Sequence, residues 1–297
     1  MSISFCLDLQ EKYAPPLAAK PCDEGLFFKG TRDSILILIH GLTGTPNEML
    51  YIAKSFHRKG YSVLCPKLAN HGRALKILQK TTWQECFESV RTAYNSIKGR
   101  YRHVFVSGLS MGALLSLLLA DEFASSITGV GCLSPTLFYD GWNTPWYKCF
   151  LPLLCMTPLK NCVYVKEEPP YGIKNEDLRR RVHEYYRSAD IHDTRNVALY
   201  GYPYFPVSLL HQLNLLVKYT TSRLERITTP VQLIQATHDD MTSIKNSQFI
   251  YSRLSSNIKE VVLLDNCYHV ITADQERSTV AQKLESFFSS LQSKDAQ

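Results

Sequence analysis

Apolar and polar positions along the chain follow patterns that predict buried strands and amphipathic helices. Ile35–Ile39 is a continuous aliphatic run, which is typical of a strand buried on both faces in a parallel sheet. In Thr81–Lys98 the apolar residues recur at helical spacing, so we expect a helix with one buried face. The predicted strands are Gly25–Gly30 as a short edge strand, Ile35–Ile39, Tyr61–Cys65, His103–Ser107, Thr128–Leu133, Val231–Ala236 and Glu260–Leu264. The predicted helices are Pro46–Lys59, Thr81–Lys98, Met111–Phe123, Asn175–Tyr186, Val207–Tyr219, Asn246–Leu254 and Gln275–Leu291.

This order of elements predicts an α/β fold with one interruption. Strands alternate with helices at both ends of the chain, which implies a mostly parallel sheet with helices on both faces. The alternation breaks in residues 134–227, which are rich in proline and aromatic residues. We therefore predict a core of residues 25–133 and 228–297, and a mainly helical insertion of residues 134–227 at the carboxyl edge of the sheet, where ligands bind. Residues 1–24 are expected to be an irregular lead-in.

One strand-to-helix junction carries a motif with chemical meaning. His103–Ser107 has the composition of a buried strand, and Met111–Phe123, rich in Leu and Ala, has that of a buried helix. Between them, Gly108–Gly112 (GLSMG) fits the pattern G-x-S-x-G. Glycines two residues before and after the apex allow a sharp turn, which would present the Ser110 hydroxyl as a nucleophile. The alternative is a glycine-rich turn with a solvent-exposed serine.

A serine hydroxyl attacks a carbonyl only when a general base takes its proton and a carboxylate orients that base. With a nucleophile in such a turn, the acid and then the histidine follow later strands. His269 follows the last predicted strand and is the candidate base. Asp239 and Asp240 follow the preceding strand, and because they are adjacent only one can orient the histidine. We expect the other to be a solvated turn residue or a helix cap. Asp265 is a third candidate, only four residues before His269.

The loop His40–Gly44 (HGLTG) follows the first buried strand. Sites of this type use two backbone N–H groups to bind the oxyanion that develops on the carbonyl. We expect the N–H groups of Leu42 and Met111 to fill this role, the second from a helix N-terminus. His71 is expected to brace a loop beneath the site. A simple glycine turn is the alternative interpretation of this loop.

Composition and charge exclude several classes of protein. The chain has 297 residues, of which 45% are apolar, so it can bury a substantial core. The net charge of +6 is mild. The basic cluster Arg179–Arg181 is expected to lie on a solvated helix face, with contact to anionic lipid as the alternative. We find no nucleic-acid-binding module, so no nucleic-acid partner is expected.

Nine cysteines are scattered without C-x-x-C pairs, which predicts buried thiols in a reducing compartment. We recognise neither a secretion signal nor an apolar stretch of about eighteen residues. The expected location is therefore the cytoplasm. The sequence carries no metal-ligand cluster, phosphate loop or dinucleotide fingerprint, so we expect no metal and no cofactor.

Several blocks of the sequence resemble a known family. They include ILILIHGLTGTPNEM, VFVSGLSMGALLSLLLA, VQLIQATHDDMTS and CYHVITADQER. These blocks are similar to those of bacterial carboxylesterases and monoacylglycerol lipases of the small thermostable esterase type, within the α/β-hydrolase superfamily. The resemblance covers residues 35–133 and 229–292.

The resemblance implies an α/β-hydrolase fold with a cap at residues 134–227 and assigns the site residues one by one. It implies that Ser110 is the nucleophile, Asp239 the acid and His269 the base. It also implies that the N–H groups of Leu42 and Met111 form the oxyanion hole.

The sequence departs from the family pattern in two places, of which the second, the long insertion, bears on the substrate. Ala113 stands where a second glycine often follows the turn. The insertion is longer than the compact cap expected, and its apolar content, as in Tyr147–Leu154, fits an apolar acyl chain or a transient contact with a lipid surface. A packed helical lid is the alternative.

We predict a serine hydrolase that cleaves carboxylic esters of apolar acyl chains, acting as a carboxylesterase or in the manner of a monoacylglycerol lipase. A thioesterase or lysophospholipase would use the same triad. A non-catalytic ligand-binding protein on this scaffold is the third alternative, which the presence of all three side chains disfavours. The sequence does not define the oligomeric state.

Overall fold

A computed structural model of the protein describes residues 20–22, 25–144, 150–189 and 196–294, and these contain ten strands. In chain order they are β1 (Lys20–Cys22), β2 (Gly25–Phe28), β3 (Ser34–Ile39), β4 (Ser62–Pro66), β5 (His103–Leu109), β6 (Gly129–Leu133), β7 (Tyr164–Lys166), β8 (Tyr204–Pro206), β9 (Val231–Ala236) and β10 (Lys259–Leu264).

Among the described residues, eight of these strands form one sheet in the order β1-β2-β4-β3-β5-β6-β9-β10. The six strands from β4 to β10 in that order pair in parallel, whereas β1 and β2 pair antiparallel. The predicted mostly parallel sheet is confirmed. The strand predicted at Gly25–Gly30 is present as Gly25–Phe28, but its predicted edge position is wrong, because Lys20–Cys22, within the predicted irregular lead-in, pairs along its outer side.

Helices cover both faces of this sheet, as predicted. They are α1 (Leu50–Arg58), α2 (Leu75–Leu78), α3 (Trp83–Ile97), α4 (Met111–Glu122), α5 (Leu151–Cys155), α6 (Glu176–Ser188), α7 (Val197–Tyr200), α8 (Val207–Thr221), α9 (Lys245–Arg253) and α10 (Arg277–Lys294). None of them is long and apolar enough to cross a membrane.

The continuous aliphatic run of β3 is buried on both sides of the sheet. Ile35, Ile37 and Ile39 face one hydrophobic core, which includes α3 and α4. Leu36 and Leu38 face the other, which includes α1 and α10. Side chains of a strand alternate between faces, so a strand covered on both sides needs apolar residues throughout.

Residues 134–227 add no strand to the large sheet within the part of the chain that the structure describes. They contain α5 to α8 and a small antiparallel pair, β7 with β8. The helices predicted at Asn175–Tyr186 and Val207–Tyr219 are confirmed with small changes at their ends. Of the apolar stretch Tyr147–Leu154, residues 147–149 lie outside the described part, as does Trp146.

The parallel strands bring the predicted site residues to one edge of the sheet. Ser110 follows β5 directly, and Leu42 follows β3. Asp239 and His269 follow β9 and β10. Because these four strands run in the same direction, all of these residues lie beyond their carboxyl ends.

Candidate active site

Ser110 occupies a strained turn between β5 and α4. Its backbone has φ 57° and ψ −114°, in the left-handed half of conformational space that non-glycine residues rarely adopt. A Cβ atom on Gly108 would lie 2.2 Å from the carbonyl oxygen of Gly112, and one on Gly112 would lie 2.3 Å from that of Ile39. Both positions therefore require glycine, and the sharp turn predicted from the motif is present.

The Ser110 side chain lines a pocket and is half-buried. Its Oγ lies 2.8 Å from Oγ1 of Thr136, and its N–H donates to the carbonyl oxygen of Leu133 at 2.8 Å. The sequence analysis missed Thr136. Its position just beyond the carboxyl end of β6 was the available signal.

His269 and Asp239 form a buried pair. Nδ1 of His269 lies 2.9 Å from Oδ2 of Asp239 and 3.1 Å from Oδ1. The side chains of both are almost completely buried, at 6% and 0% exposure. The Asp239 carboxylate also accepts the N–H groups of Met241 and Thr242, both at 2.8 Å, and the Thr242 hydroxyl at 2.9 Å. These bonds fix the carboxylate on one side of the imidazole.

The surroundings of His269 set its affinity for a proton. Burial disfavours the charged imidazolium, but the charge of Asp239 and its hydrogen bond to the ring act in the opposite direction, and Asp240 and Glu48 add to them. The outcome is a pKa of His269 above its ordinary value. An imidazole that holds a proton well in this position is suited to accept one from a nearby hydroxyl.

Asp240 differs from its expected role as a solvated turn residue or helix cap. It is only 1% exposed, and burial raises the pKa of its carboxyl group. Oδ2 accepts the N–H of Gly172 at 3.0 Å, and Oδ1 accepts the N–H of His269 at 3.3 Å. Through these two hydrogen bonds Asp240 links the backbone of His269 to Gly172 in the 134–227 insertion. Its neighbour Asp239 contacts the imidazole ring instead.

Asp274 makes a second tie between the insertion and the His269 loop. It is completely buried. One oxygen accepts the N–H groups of Lys174 and Tyr268 at 2.8 and 2.9 Å, and the other accepts those of Asn175 and Gln275 at 2.8 and 2.9 Å. Nothing in the hydrophobic pattern distinguished this aspartate from a surface residue. Asp265, the third acid candidate, is exposed and accepts the Thr237 hydroxyl instead.

The peptide groups around Leu42 are held from several sides. The N–H of Gly41 donates to Oε2 of Glu48 at 2.7 Å. The carbonyl oxygen of Leu42 lies 2.8 Å from Nε2 of His71, which agrees with the bracing role expected for His71. Nδ1 of His40 lies 2.9 Å from the carbonyl oxygen of Gly41. The loop therefore has a fixed shape, and Glu48, which sequence reasoning missed, helps to fix it.

The pocket around Ser110 and His269 opens to solvent and has a cavity volume of about 170 Å³. Leu42 and Glu48 line it from the core, and Glu167 lines it from the insertion. Within the described residues, no group of three or more His, Cys, Asp or Glu side chains is arranged to hold a metal ion. The apolar part of the lining includes Ile173, Leu178, Val182, Leu199, Phe205 and Met241.

A serine at the apex of a strained turn, a buried His–Asp pair and a braced backbone loop lie at one sheet edge, and serine hydrolases build their sites from groups of these kinds. The profile of the family Hydrolase_4, described as serine aminopeptidase, S33, matches residues 30–276. The chain belongs to this family.

Curated relatives of this family member are esterases and lipases. A thermostable monoacylglycerol lipase from Bacillus sp. (strain H-257) is 28% identical over 254 residues, covering 85% of this chain and 89% of the relative. A carboxylesterase from Bacillus subtilis (strain 168) is 24% identical over 265 residues, covering 89% of this chain and 95% of the relative. The resemblance to carboxylesterases and monoacylglycerol lipases found in the sequence is confirmed.

Solved structures support the fold. A structure from work on the metagenome-derived lipolytic enzymes LipS and LipT superposes with a TM-score of 0.73 at 24% identity, covering 89% of this chain and 96% of the other. The monoacylglycerol lipase of Paleococcus ferrophilus gives a TM-score of 0.70 at 18% identity, covering 89% of this chain and 97% of the other. The α/β-hydrolase fold predicted from the sequence is confirmed.

Proposed function

We propose that this protein is a serine hydrolase that cleaves carboxylic esters of apolar acyl chains through an acyl-enzyme. One observation carries the proposal. His269, whose Nδ1 lies 2.9 Å from Oδ2 of the buried Asp239, lines the same pocket as Ser110 at the apex of its strained turn. The curated relatives, a monoacylglycerol lipase and a carboxylesterase, support the same class of reaction.

In the proposed acylation step, Nε2 of His269 accepts the hydroxyl proton of Ser110 as Oγ attacks the ester carbonyl carbon. Asp239 orients the ring and stabilises the imidazolium that forms. The negative charge that develops on the carbonyl oxygen is bound by the N–H groups of Leu42 and Met111, the second at the N-terminus of α4. The tetrahedral intermediate then expels the alcohol, which takes the proton from His269.

In the proposed deacylation step, His269 takes a proton from a water molecule, whose oxygen attacks the acyl carbon bound to Oγ of Ser110. The second tetrahedral intermediate then breaks its bond to Oγ, which takes the proton back from His269, and the carboxylic acid is released. In the structure, Oγ of Ser110 contacts Thr136. We infer that Thr136 holds the hydroxyl in the resting enzyme and that Oγ turns to His269 for attack.

We further propose that residues 25–133 and 228–297 form the catalytic core and that residues 134–227 form a cap over it. The support is that the insertion adds no described strand to the large sheet yet contributes Leu178, Val182 and Phe205 to the pocket lining. Apolar side chains at these positions suit an acyl chain, since each buried methylene contributes about 0.8 kcal/mol.

The outer surface of the cap carries exposed apolar side chains on one short segment. Phe150, Leu153, Met156 and Leu159 recur at intervals of three and are 58%, 66%, 83% and 58% exposed. We propose that this segment makes transient contact with a lipid surface that holds the ester. Replacing Leu153 and Met156 together by Ser should reduce retention on phosphatidylcholine vesicles without changing hydrolysis of a dissolved short-chain ester.

We propose the cytoplasm as the location. The support is that Cys65, Cys86, Cys132, Cys155 and Cys267 are all buried free thiols. Thiols kept in this state fit a reducing compartment.

The experiment that tests the proposed function is covalent labelling. An uncharged fluorophosphonate should add once to the wild-type protein and not to Ser110→Ala, as intact mass would reveal. Hydrolysis of p-nitrophenyl butyrate should fall by roughly 10⁴-fold in the same variant. A label that persists in Ser110→Ala would contradict the assignment of the nucleophile. A wild-type protein that takes no label and hydrolyses no ester would favour a non-catalytic binding role.

A further inference from the structure

Two carboxyl groups outside the proposed triad line the pocket. Glu48 belongs to the turn that follows the HGLTG loop, and Glu167 follows β7 in the insertion. Both share the pocket with Ser110 and His269, so a bound ester must pass close to them. Among the described residues that line this pocket there is no Lys and no Arg. The pocket therefore offers acidic groups to a substrate, and His269, its one basic side chain, is already paired with Asp239.

Glu167 lies in a strongly acidic environment. The charges of Asp240 and Glu48, which lie in the core, raise its pKa, whereas His269 and the Tyr186 hydroxyl on α6 lower it. Burial, together with the charges of Asp240 and Glu48, raises the pKa of Glu167 to about 8. Glu167 is therefore mainly uncharged at neutral pH and becomes a carboxylate at more alkaline pH.

An anionic substrate would lose hydration in this pocket without gaining a Lys or Arg partner there. It would also be repelled by each ionised carboxylate nearby, and this repulsion is stronger in a partly dry pocket than in water. An uncharged ester avoids both costs, and its hydroxyl groups, where it has them, can donate hydrogen bonds to the carboxyl oxygens.

We propose that Glu167, with Glu48 beside it, restricts the pocket to uncharged esters and rejects esters that carry an anionic group. This inference rests on the proposed ester hydrolase function and narrows it. Acyl phosphoglycerols and acyl thioesters of highly phosphorylated carriers are then poor substrates. The thioesterase and lysophospholipase alternatives are disfavoured for the same reason.

The test compares matched pairs of substrates that differ only in charge. For the acyl side, the pair is p-nitrophenyl methyl adipate and p-nitrophenyl hydrogen adipate. For the alcohol side, the pair is monobutyrylglycerol and monobutyrylglycerol phosphate. The quantity measured is kcat/KM for the neutral member divided by kcat/KM for the anionic member, corrected for spontaneous hydrolysis. This ratio removes effects common to both members, including the titration of His269.

In the wild-type protein the ratio should exceed one for both pairs. Between about pH 7 and about pH 9.5 it should rise by about tenfold for the pair whose charged end lies near Glu167, mainly through the KM of the anion. In Glu167→Gln the ratio should stay constant over that range. Glu168→Gln is the matched control, because Glu168 is adjacent, exposed and outside the pocket lining, so its ratio should follow that of the wild type.

Two results would overturn the inference alone. One is a ratio at or below one, or independent of pH, for both pairs in the wild-type protein, which needs no variant to fold. The other is a rise in Glu167→Gln equal to that in the wild type. Labelling of Ser110 by an uncharged fluorophosphonate in each sample checks that the site is intact. Loss of that labelling in the wild type would instead contradict the proposed function itself.

Discussion

Nδ1 of His269 lies 2.9 Å from Oδ2 of Asp239, and the backbone N–H of the same histidine lies 3.3 Å from Oδ1 of Asp240. Two adjacent carboxylates thus hold one residue, the first by its ring and the second by its backbone. The arrangement explains why both aspartates are buried although only one can orient the imidazole. It also gives separate expectations for the two residues.

Asp239→Asn should lower kcat by roughly 10⁴-fold, because the amide favours the wrong tautomer of His269. It should also shift the pH profile. A general base works when neutral, so activity rises with pH through the pKa of His269, which is raised in the wild type. Without the charge of Asp239, burial lowers that pKa, and the acid limb of kcat/KM should move to lower pH. The measurement is a pH profile of kcat/KM for both proteins.

Asp265→Asn is the control for this experiment, because Asp265 is exposed and bonds to Thr237. It should retain the wild-type rate and acid limb. If Asp265→Asn lost activity while Asp239→Asn kept it, Asp239 would not be the acid.

Asp240→Asn should reduce stability and activity to a smaller extent. The N–H groups of Gly172 and His269 face different oxygens of Asp240, so the amide of Asn would place its NH2 group against one of these donors. Leaving one of these buried donors unpaired should cost about 1–3 kcal/mol in the free energy of unfolding. We expect kcat to fall by about tenfold with the acid limb little changed, since Asp239 still contacts the ring. Urea unfolding and a pH profile measure both, and wild-type values for each would refute the tie between Asp240 and the His269 loop.

Sequence reasoning predicted the large sheet and the positions of Ser110, Asp239 and His269 beyond the carboxyl ends of its strands, because both depend on strong local patterns. The run Ile35–Ile39 is apolar at every position, which indicates burial on both faces without reference to the rest of the chain. The glycines at 108 and 112 specify the turn at Ser110. Each of these signals is contained within a few consecutive residues of the chain.

The residues that sequence reasoning missed, or whose role it misjudged as for Asp240, act over long separations. Asp240 and Asp274 accept N–H groups of residues about seventy and a hundred positions away. Glu48 resembles an ordinary acidic residue in the first turn of a helix, which is where the sequence places it. A buried carboxylate that satisfies backbone donors has the same letter as a solvated one, so only the assembled fold distinguishes them.

Glu48→Ala should lower kcat by about a hundredfold with little change in KM, because the Gly41 N–H loses its acceptor and the Leu42 peptide is no longer held for the oxyanion. Glu48→Gln keeps an acceptor oxygen and should stay close to the wild-type rate. Steady-state kinetics on a neutral ester separate the two variants. Equal rates for Glu48→Ala and Glu48→Gln, whether high or low, would show that the hydrogen bond to Gly41 does not position the loop.

Gly112→Ala should destabilise the fold by about 3 kcal/mol, because its Cβ would lie 2.3 Å from the carbonyl oxygen of Ile39 and 2.8 Å from that of His40. It should also displace the Ser110 turn and abolish most activity. Gly99→Ala provides a comparison, since nothing lies within 4 Å of its added Cβ and only its φ of 73° is unfavourable. That variant should lose about 1 kcal/mol and keep its kcat. Thermal unfolding and kinetics of both would test whether the close contact, rather than glycine loss in general, is responsible.

The apolar lining of the pocket predicts how activity depends on acyl chain length. Each methylene that enters the pocket should raise kcat/KM by about fourfold, until the space beside Leu178, Val182 and Phe205 is filled. Measured below the micelle threshold from acetate to palmitate, p-nitrophenyl esters should therefore show a rise in kcat/KM and then a plateau or fall.

Leu178→Trp adds bulk to the pocket lining and should move the optimal acyl chain to a shorter length. Leu215→Trp adds the same kind of side chain at a position on α8 that is 39% exposed and outside the pocket lining, so its optimum should match the wild type. A steady decline from acetate in the wild type, or equal optima in all three proteins, would mean that the acyl chain lies elsewhere.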